Sequence, residues 1–259
     1  MAPIARLAMA VLLFSATFIN AAPAVTTPQN DREIELFSRA VTEAATGIKL
    51  VSKCTVPNTM AITFDDGPFE YTKQILKIFK DKKAKATFFV NGDNNGKITD
   101  YQDAVKQAYN EGHQIASHTW DHTDLTTLKA DGIKAEMTKL DDALRKIIGV
   151  APTYMRPPYG AYNDLVTKTI GADYTIVMWS QDTNDWQHST DVEASLKVYK
   201  DSVKTAKGKG GEIFLQHEIY QQTALKLAPK AIDYALKKKW KLVTVGECLG
   251  KAKSTWYRK

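Results

Sequence analysis

Short runs of β-forming apolar residues alternate with longer amphipathic stretches along most of the chain. The apolar runs occupy residues 60–64, 86–90, 114–117, 153–155, 174–179, 212–216 and 242–245. Helical patterns separate them at residues 72–81, 101–111, 130–148, 191–206 and 222–239. Because strands that alternate with helices pair in parallel, we predict an α/β fold. The count favours a single distorted (β/α) barrel of about seven units, with parallel strands inside and helices outside.

The first residues have the layout of a secretory signal peptide. Arg6 precedes an apolar run at residues 7–18, and small residues follow it. The run is too short to span a bilayer, so we expect cleavage after Ala21, with Ala24 as the alternative. The mature protein is then secreted and extracellular.

The remaining chain divides into two predicted regions. Residues 22–53 form a stub that contains a helix-like segment at 31–46, either an outer helix or a pro-segment. Residues 54–259 carry the alternating pattern and form one domain, since α/β barrels commonly occupy about that length.

Charge and hydropathy argue against two classes of partner, nucleic acids and membranes. Lys and Arg number 35 against 29 acidic residues, for a formal charge of +6, but the lysines are interspersed with acids. There is no basic run with interleaved aromatics of the kind that binds nucleic acid. No later segment is long and apolar enough for a membrane helix. We expect a monomer without nucleic-acid or membrane partners.

The chain has two cysteines, Cys54 and Cys248, near opposite ends of the patterned region. An exported protein meets oxidising conditions, which favours a disulfide between them over two buried thiols. Over so long a loop, the chain-entropy model gives a stabilisation of about 5 kcal/mol.

Polar residues follow five of the predicted strands at their carboxyl ends. They occur at 65–66, at 118 and 122, at 156–160, at 182–185 and at 217. Each cluster alone is typical of a helix cap, a surface histidine or a turn. In a parallel barrel, however, the carboxyl ends of all strands meet at one mouth, where active sites lie. The sequence therefore predicts one functional site built from all five.

Two histidines four residues apart, His118 and His122, are a candidate metal pair, although surface helices carry the same spacing by chance. Joined by the carboxylate of Asp65 or Asp66 at the same mouth, they make a two-histidine, one-carboxylate site with open coordination positions. Such ligands suit Zn²⁺, Co²⁺, Mn²⁺, Fe²⁺ or Ni²⁺, and zinc is the default for hydrolysis. Ferrous oxygenases use the same set, but nothing in the sequence indicates a cosubstrate pocket. We predict one catalytic divalent metal.

Five segments in order carry a family resemblance: TFDDGP at 63–68, HTWDH at 118–122, RPPYG at 156–160, DTNDW at 182–186 and FLQH at 214–217. With them the chain resembles the polysaccharide deacetylases, the carbohydrate esterase family 4 or NodB-homology group. The resemblance runs from about Cys54 to Val245. The segments CTVP at 54–57 and ATFFVNG at 86–92 are most similar to fungal chitin deacetylases. The resemblance implies a seven-unit distorted barrel, in agreement with the strand count.

The resemblance also implies residue roles. Asp66, His118 and His122 would bind the metal, and Asp65, paired with Arg156, would be the general base. The backbone N–H of Tyr159 would help to stabilise the tetrahedral oxyanion.

His217, oriented by Asp185, would be the general acid, and Trp179 and Leu215 would form the acetyl pocket. The family usually has Asp after the last histidine and a Ser or Ala-like residue in the second motif, where this chain has Glu218 and Asp121.

Two further residues are predicted to bind substrate. Asn91 opens a polar loop after the second strand and is a candidate subsite wall. Trp120 is a candidate stacking platform for a sugar ring, although a tryptophan near a mouth is also an ordinary packing residue.

The function expected from the resemblance is removal of N-acetyl groups from chitin or chito-oligosaccharides. Acetylxylan esterase and peptidoglycan N-acetylglucosamine deacetylase share the mechanism and remain alternatives. An inactive carbohydrate-binding barrel is the alternative of another class. A glycoside hydrolase is disfavoured, because adjacent Asp65 and Asp66 do not flank a sugar from opposite sides.

Overall fold

The computed structural model describes residues 49–188, 190–206 and 210–259. The predicted signal peptide and the predicted helix at 31–46 lie outside these residues. Within them, no helix is both long enough and apolar enough to cross a bilayer.

The described residues form one main sheet of nine strands: β1 (Lys49–Val51), β2 (Thr59–Asp65), β3 (Thr87–Val90), β4 (Gln114–Ser117), β6 (Tyr154–Met155), β7 (Thr175–Val177), β8 (Gln181–Asp182), β9 (Glu212–His217) and β10 (Lys241–Leu242). All the pairings in this sheet are parallel; the strand order is β1-β7-β6-β4-β3-β2-β9-β8, and β10 pairs with β2. Outside this sheet, β5 (Ala151–Pro152) pairs antiparallel with β11 (Tyr257–Arg258).

The sheet curls back on itself because β7 and β8 are consecutive in the chain but lie at different places in the strand order. Only residues 178–180 separate them. Within that link the N–H of Met178 donates to the carbonyl of Val51 at 2.7 Å, and the N–H of Ser180 donates to Ile213 at 3.1 Å. The predicted distorted (β/α) barrel is confirmed.

Helices surround the strands, as predicted: α1 (Thr72–Asp81), α2 (Gln102–Asn110), α3 (Ala130–Ile148), α4 (Asp164–Ile170), α5 (Val192–Ala206), α6 (Ala228–Lys237) and α7 (Val245–Cys248). The helix predicted at 222–239 is divided in two. A π-helical turn, Thr223–Leu227, precedes α6, and Pro229 lies in the first turn of α6. Because proline has no N–H to donate, it cannot continue an α-helical hydrogen-bond pattern from the preceding turn.

The seventh predicted strand, at 242–245, is wrong after its first residue. Only Lys241–Leu242 is a strand, paired with Thr59 and Met60 at the amino end of β2. Val245 already belongs to α7, because Thr244 and Glu247 form a capping box that starts a helix.

Alternation along β2 decides which side chains face the barrel interior. All seven residues of the strand are buried. Met60, Ile62 and Phe64 pack in the cluster that the strands share with the surrounding helices, whereas Ala61 packs with residues of the interior. Since side chains alternate with period two, Asp65 shares the inward face with Ala61 and therefore points into the mouth of the barrel.

The predicted disulfide between Cys54 and Cys248 is present, and it joins segments 194 residues apart. Both cysteines are buried in the interior cluster with Trp256. Cys54 lies before β2 and forms an isolated backbone β-bridge with Gly211, which directly precedes β9. The disulfide therefore lies at the amino ends of the strands. The polar clusters therefore occupy the opposite end of the barrel.

Candidate active site

An open cleft of about 460 Å³ lies at the carboxyl ends of the strands. Nine of the residues predicted from sequence line it: Asp65, Asp66, His118, His122, Arg156, Tyr159, Trp179, Leu215 and His217. They come from segments spread over more than 150 positions of the chain, so the parallel barrel is what brings them together.

Asp66, His118 and His122 form the group of side chains that could hold a metal. Their ligand atoms all lie within 4.8 Å of one another. Oδ1 of Asp66 is 3.5 Å from Nε2 of His118 and 3.3 Å from Nε2 of His122. This oxygen is buried and has no hydrogen-bond partner among the described residues. A buried acceptor without a donor is costly, and a cation between these three atoms would satisfy it.

The backbone directs both histidines toward Asp66. Nδ1 of His118 lies 2.7 Å from the carbonyl oxygen of Arg156, and a carbonyl only accepts, so Nδ1 carries the proton and Nε2 keeps its lone pair. This is the usual outer hydrogen bond of a metal-ligating histidine. Asp66 has a φ of 71°, a left-handed conformation that aspartate tolerates. The turn brings its carboxylate into the mouth beside that of Asp65.

The charges around these ligands suit a divalent cation. Burial by itself raises the pKa of the Asp66 carboxyl, but the neighbouring imidazoles of His118, His217 and His122 lower it to about 2. Burial, followed by the charge of His118, lowers the pKa of His122. Near neutral pH, Asp66 is therefore an anionic ligand and His122 an uncharged one, the forms that bind metal.

Asp65 is held in a buried ion pair on the other side of the cleft floor. Nη1 of Arg156 donates to Oδ1 of Asp65 and to the hydroxyl of Thr63, both at 2.7 Å. The rest of the guanidinium donates to the carbonyls of Val177 and Met178 at 2.9 and 3.1 Å. Because these hydrogen bonds hold the guanidinium in one orientation, the arginine also fixes the orientation of the Asp65 carboxylate.

His217 ends β9 and is paired with a second buried carboxylate, Asp185. Nδ1 of His217 lies 2.8 Å from Oδ1 of Asp185, and Thr223 donates to Oδ2 of the same carboxylate at 2.7 Å. Burial lowers the pKa of His217, but the hydrogen bond and charge of Asp185, with Asp65 and Asp66, raise it to about 9. The imidazole is therefore cationic near neutral pH and can release a proton into the cleft from Nε2.

An apolar wall faces these polar groups. Trp179 and Leu215 line the cleft, and the guanidinium of Arg156 lies 5.5 Å from the Trp179 ring centre. A Cβ at Gly160 would lie only 2.8 Å from that ring, so glycine is required beside it. Tyr159 has a φ of 60° and is 72% exposed at the rim, edge-on to His122.

Two predicted substrate-binding residues, Asn91 and Trp120, do not line the cleft. Asn91 is fully buried, and its amide donates to the carbonyls of His118 and Thr119. Trp120 packs so closely on the chain that a Cβ at Gly92 would lie 2.0 Å from its ring. Both side chains hold two loops together outside the cleft, so nothing in the arrangement supports a contact of either with substrate.

Five further residues line the cleft: Pro157, Gly160, Asp182, Trp186 and Tyr220. Four of them lie inside the motifs, which was the available signal. Tyr220 lies outside the motifs, three positions after His217, and its ring centre is 5.8 Å from the imidazole. Burial raises the pKa of the Asp182 carboxyl.

The two departures from the family pattern both lie outside the cleft. Glu218 is fully buried, and it accepts a hydrogen bond from Thr72 and packs on Gly67. Burial raises its pKa to about 8, so it is largely neutral at pH 7. The Asp121 carboxylate accepts from the backbone and hydroxyl of Thr123. Neither residue lines the cleft.

The barrel and its mouth define a parallel (β/α)-barrel protein with a two-histidine, one-carboxylate candidate metal site. Comparison with known families agrees with this class, since the model for polysaccharide deacetylases matches residues 52–177. A probable peptidoglycan-N-acetylglucosamine deacetylase of Arthroderma benhamiae is 47% identical over 81% of this chain. The chain spans about half the length (48%) of that relative.

Two chitin deacetylases are matched over more of their length. The one from Pestalotiopsis sp is 44% identical, with 81% of this chain and 70% of the relative aligned. The solved chitin deacetylase of the fungal pathogen Colletotrichum lindemuthianum has a TM-score of 0.79 at 36% identity, covering 82% of this chain and 96% of that one. The chain belongs to the polysaccharide deacetylase family.

Proposed function

We propose that this protein is a secreted, metal-dependent hydrolase that removes N-acetyl groups from N-acetylglucosamine units of chitin or chito-oligosaccharides. The products are acetate and chitosan. One observation carries the proposal: a single cleft combines a carboxylate with two imidazoles, a buried Asp65–Arg156 pair, and His217 paired with the buried carboxylate of Asp185. The chitin deacetylases among its relatives support this choice of substrate.

Asp66, His118 and His122 would hold the cation, and zinc is the ion we expect from these ligands. When bound, the cation supplies Lewis acidity to a water and to the acetyl carbonyl. The Nδ1–H of His118 stays on the Arg156 carbonyl, which keeps Nε2 available as a ligand.

Asp65 would be the general base. Its Oδ1 is occupied by Arg156, whereas Oδ2 lies 3.8 Å from Nε2 of His118, on the side of the candidate ligands. Oδ2 is therefore the oxygen in position to take a proton from the attacking water. The water oxygen adds to the acetyl carbon, and the backbone N–H of Tyr159 is proposed to donate to the oxyanion.

His217 would be the general acid. Collapse of the tetrahedral intermediate breaks the carbon–nitrogen bond, and the sugar amine leaves only with a proton. His217 is cationic and aimed by Asp185, and it gives that proton to the nitrogen. Trp179 and Leu215 would receive the acetyl methyl group, since they form the apolar wall beside these polar groups.

Product analysis tests the proposal. The purified protein is incubated with chitotetraose, acetylxylan and peptidoglycan fragments, with acetate assayed enzymatically and products analysed by mass spectrometry. We expect acetate and deacetylated chitotetraose of unchanged chain length, and loss of turnover after chelation that returns with zinc. Acetate from peptidoglycan alone would favour the activity in the Arthroderma relative's name, and shortened chains would indicate a glycoside hydrolase. If no substrate released acetate, the result would favour the alternative of an inactive carbohydrate-binding barrel.

Export and domain organisation are part of the proposal. Residues 1–21 are proposed as a signal peptide and 54–259 as the deacetylase domain, with 22–53 between them. N-terminal sequencing of protein recovered from the medium of an expressing host tests this. A first residue at position 22 or 25 is expected, and an intact amino terminus retained inside cells would contradict it.

A further inference from the structure

The backbone between the two candidate histidine ligands has a strained shape. Thr119 has a φ of 72° and His122 a φ of 63°. Left-handed backbone is uncommon for non-glycine residues and is a marked outlier for a β-branched one such as threonine. The conformation therefore has to be held by contacts from outside the segment.

A buried carboxylate on α3 supplies the main contact. Oε2 of Glu136 accepts the backbone N–H of Trp120 and that of Asp121, both at 3.0 Å. Glu136 is 5% exposed and does not line the cleft. One oxygen therefore holds two consecutive peptide groups that lie between His118 and His122.

The opposite side of the segment is held by the loop after β3. The N–H groups of Gly92 and Asp93 both donate to the carbonyl of Trp120, at 2.8 and 2.7 Å. Asn91 donates to the carbonyls of His118 and Thr119. The loop after β3 therefore donates hydrogen bonds to the carbonyls of the segment, and Glu136 of α3 accepts hydrogen bonds from its N–H groups.

We propose that Glu136 is a positioning residue that sets the affinity of the cleft for its divalent cation. It holds residues 119–121 in the conformation in which both imidazoles reach Asp66. The inference rests on the metal site proposed above. Without this acceptor the part-buried N–H groups of Trp120 and Asp121 lose their partner, and rotation of the segment toward water separates His122 from His118. A metal ligand set loses affinity when its distances change.

The test measures metal affinity on the full mature chain, by zinc titration against a chromophoric chelator and by the visible absorption of the Co²⁺ form. Glu136→Ala is expected to raise the Kd for zinc by roughly 10- to 100-fold and to alter the Co²⁺ spectrum. Glu136→Asp keeps the charge but shortens the side chain by one methylene, so the oxygen no longer reaches the segment. This variant should also raise the Kd for zinc. Glu136→Gln keeps a carbonyl oxygen at the same reach and should bind zinc within a few-fold of the parent protein.

Asp141 provides a matched control on the same helix. It is also 5% exposed, but it accepts from Tyr174 and Arg258 instead of the ligand segment. Asp141→Asn should lower thermal stability and leave the Kd for zinc unchanged.

Three results would overturn the inference. One is a parent-like Kd in folded Glu136→Ala or, if that variant does not fold, in Glu136→Asp. Another is an equal loss of affinity in Asp141→Asn, which would indicate general loosening of α3. The third is absence of zinc binding by the parent protein. Only this third result would also contradict the proposed metal-dependent function; the first two would not affect it.

Discussion

Asp185 lies behind His217, buried away from the cleft, and holds it from two directions: Oδ1 is 2.8 Å from Nδ1 of the imidazole, and Oδ2 accepts the backbone N–H of the same residue at 2.7 Å. The imidazole therefore has one orientation and a negative partner on its far side. Its Nε2 is left to face the cleft, which is the arrangement that a general acid requires.

Replacing Asp185 by asparagine should shift the pH dependence of activity. Asp185 is the main group that raises the pKa of His217 to about 9 against the effect of burial. Without that charge, burial lowers the pKa, and the cationic acid is lost at a lower pH. The alkaline limb of the kcat/KM profile should move to lower pH, and kcat at neutral pH should fall by about 10²- to 10⁴-fold.

The control for this profile is Asp182→Asn. Asp182 lines the same cleft, but it bonds to the backbone of Asn184 instead of to His217. The alkaline limb of the Asp182→Asn profile should move much less than that of Asp185→Asn, because Asp182 acts on His217 by charge without a hydrogen bond. An alkaline limb that does not move in Asp185→Asn would remove His217 from the role of acid.

Asp65→Asn should separate catalysis from metal binding. The substitution removes the proton acceptor but none of the three ligand atoms, so we expect parent-like zinc content with activity reduced by about 10²- to 10⁴-fold. His118→Ala should lose both zinc and activity, because it removes a ligand. Elemental analysis together with acetate release measures the two properties.

His188→Ala is the matched control for that pair, since His188 is exposed and does not line the cleft. It should keep full activity and zinc. A fully active Asp65→Asn variant would exclude this residue as the base.

Arg156→Met should destabilise the fold as well as abolish activity. The side chain is fully buried and is the ion-pair partner of Asp65, so its loss leaves a buried carboxylate without a counter-charge. Removing one member of a buried pair costs about 3–5 kcal/mol. Urea denaturation measures this free energy, and acetate release measures the activity.

Arg145→Met removes an arginine whose pair with Asp142 is on the surface, with the two side chains 36% and 58% exposed. Exposed pairs contribute about 0–1 kcal/mol, so little change is expected. Equal stability losses in the two arginine variants would contradict a special contribution from the buried pair.

The double variant Cys54→Ser, Cys248→Ser should unfold at lower urea concentration. The disulfide joins segments 194 residues apart, and an unlinked chain gains conformational freedom when it unfolds. Loss of a native disulfide typically costs about 2–5 kcal/mol. Because the disulfide lies at the amino ends of the strands, kcat at low temperature should be retained. Unchanged stability with both thiols free by titration would contradict the expected contribution.

The sequence was sufficient for the class of fold and for the composition of the site. Periodicity is a local property, and it located the helix bounds of α1 and α3 correctly, together with the positions of β2, β3, β4, β6, β7 and β9. Because parallel strands place their carboxyl ends together, the polar residues after those strands could be assigned to one cleft. The roles of Asp65, His217 and their partners remain predictions that the experiments above address.

Only the tertiary structure decided which of the residues near the mouth face it. Asn91 and Trp120 follow strands as the lining residues do, yet their side chains pack between loops. Glu136 lies in the middle of a regular helical pattern, and nothing in that pattern distinguishes it from a surface glutamate. Its two acceptor contacts depend on how α3 packs against a segment 15 and 16 positions away. Hydrophobic pattern and turn chemistry act over a few neighbouring residues, whereas the direction of a side chain in a loop is set by contacts that exist only in the folded barrel.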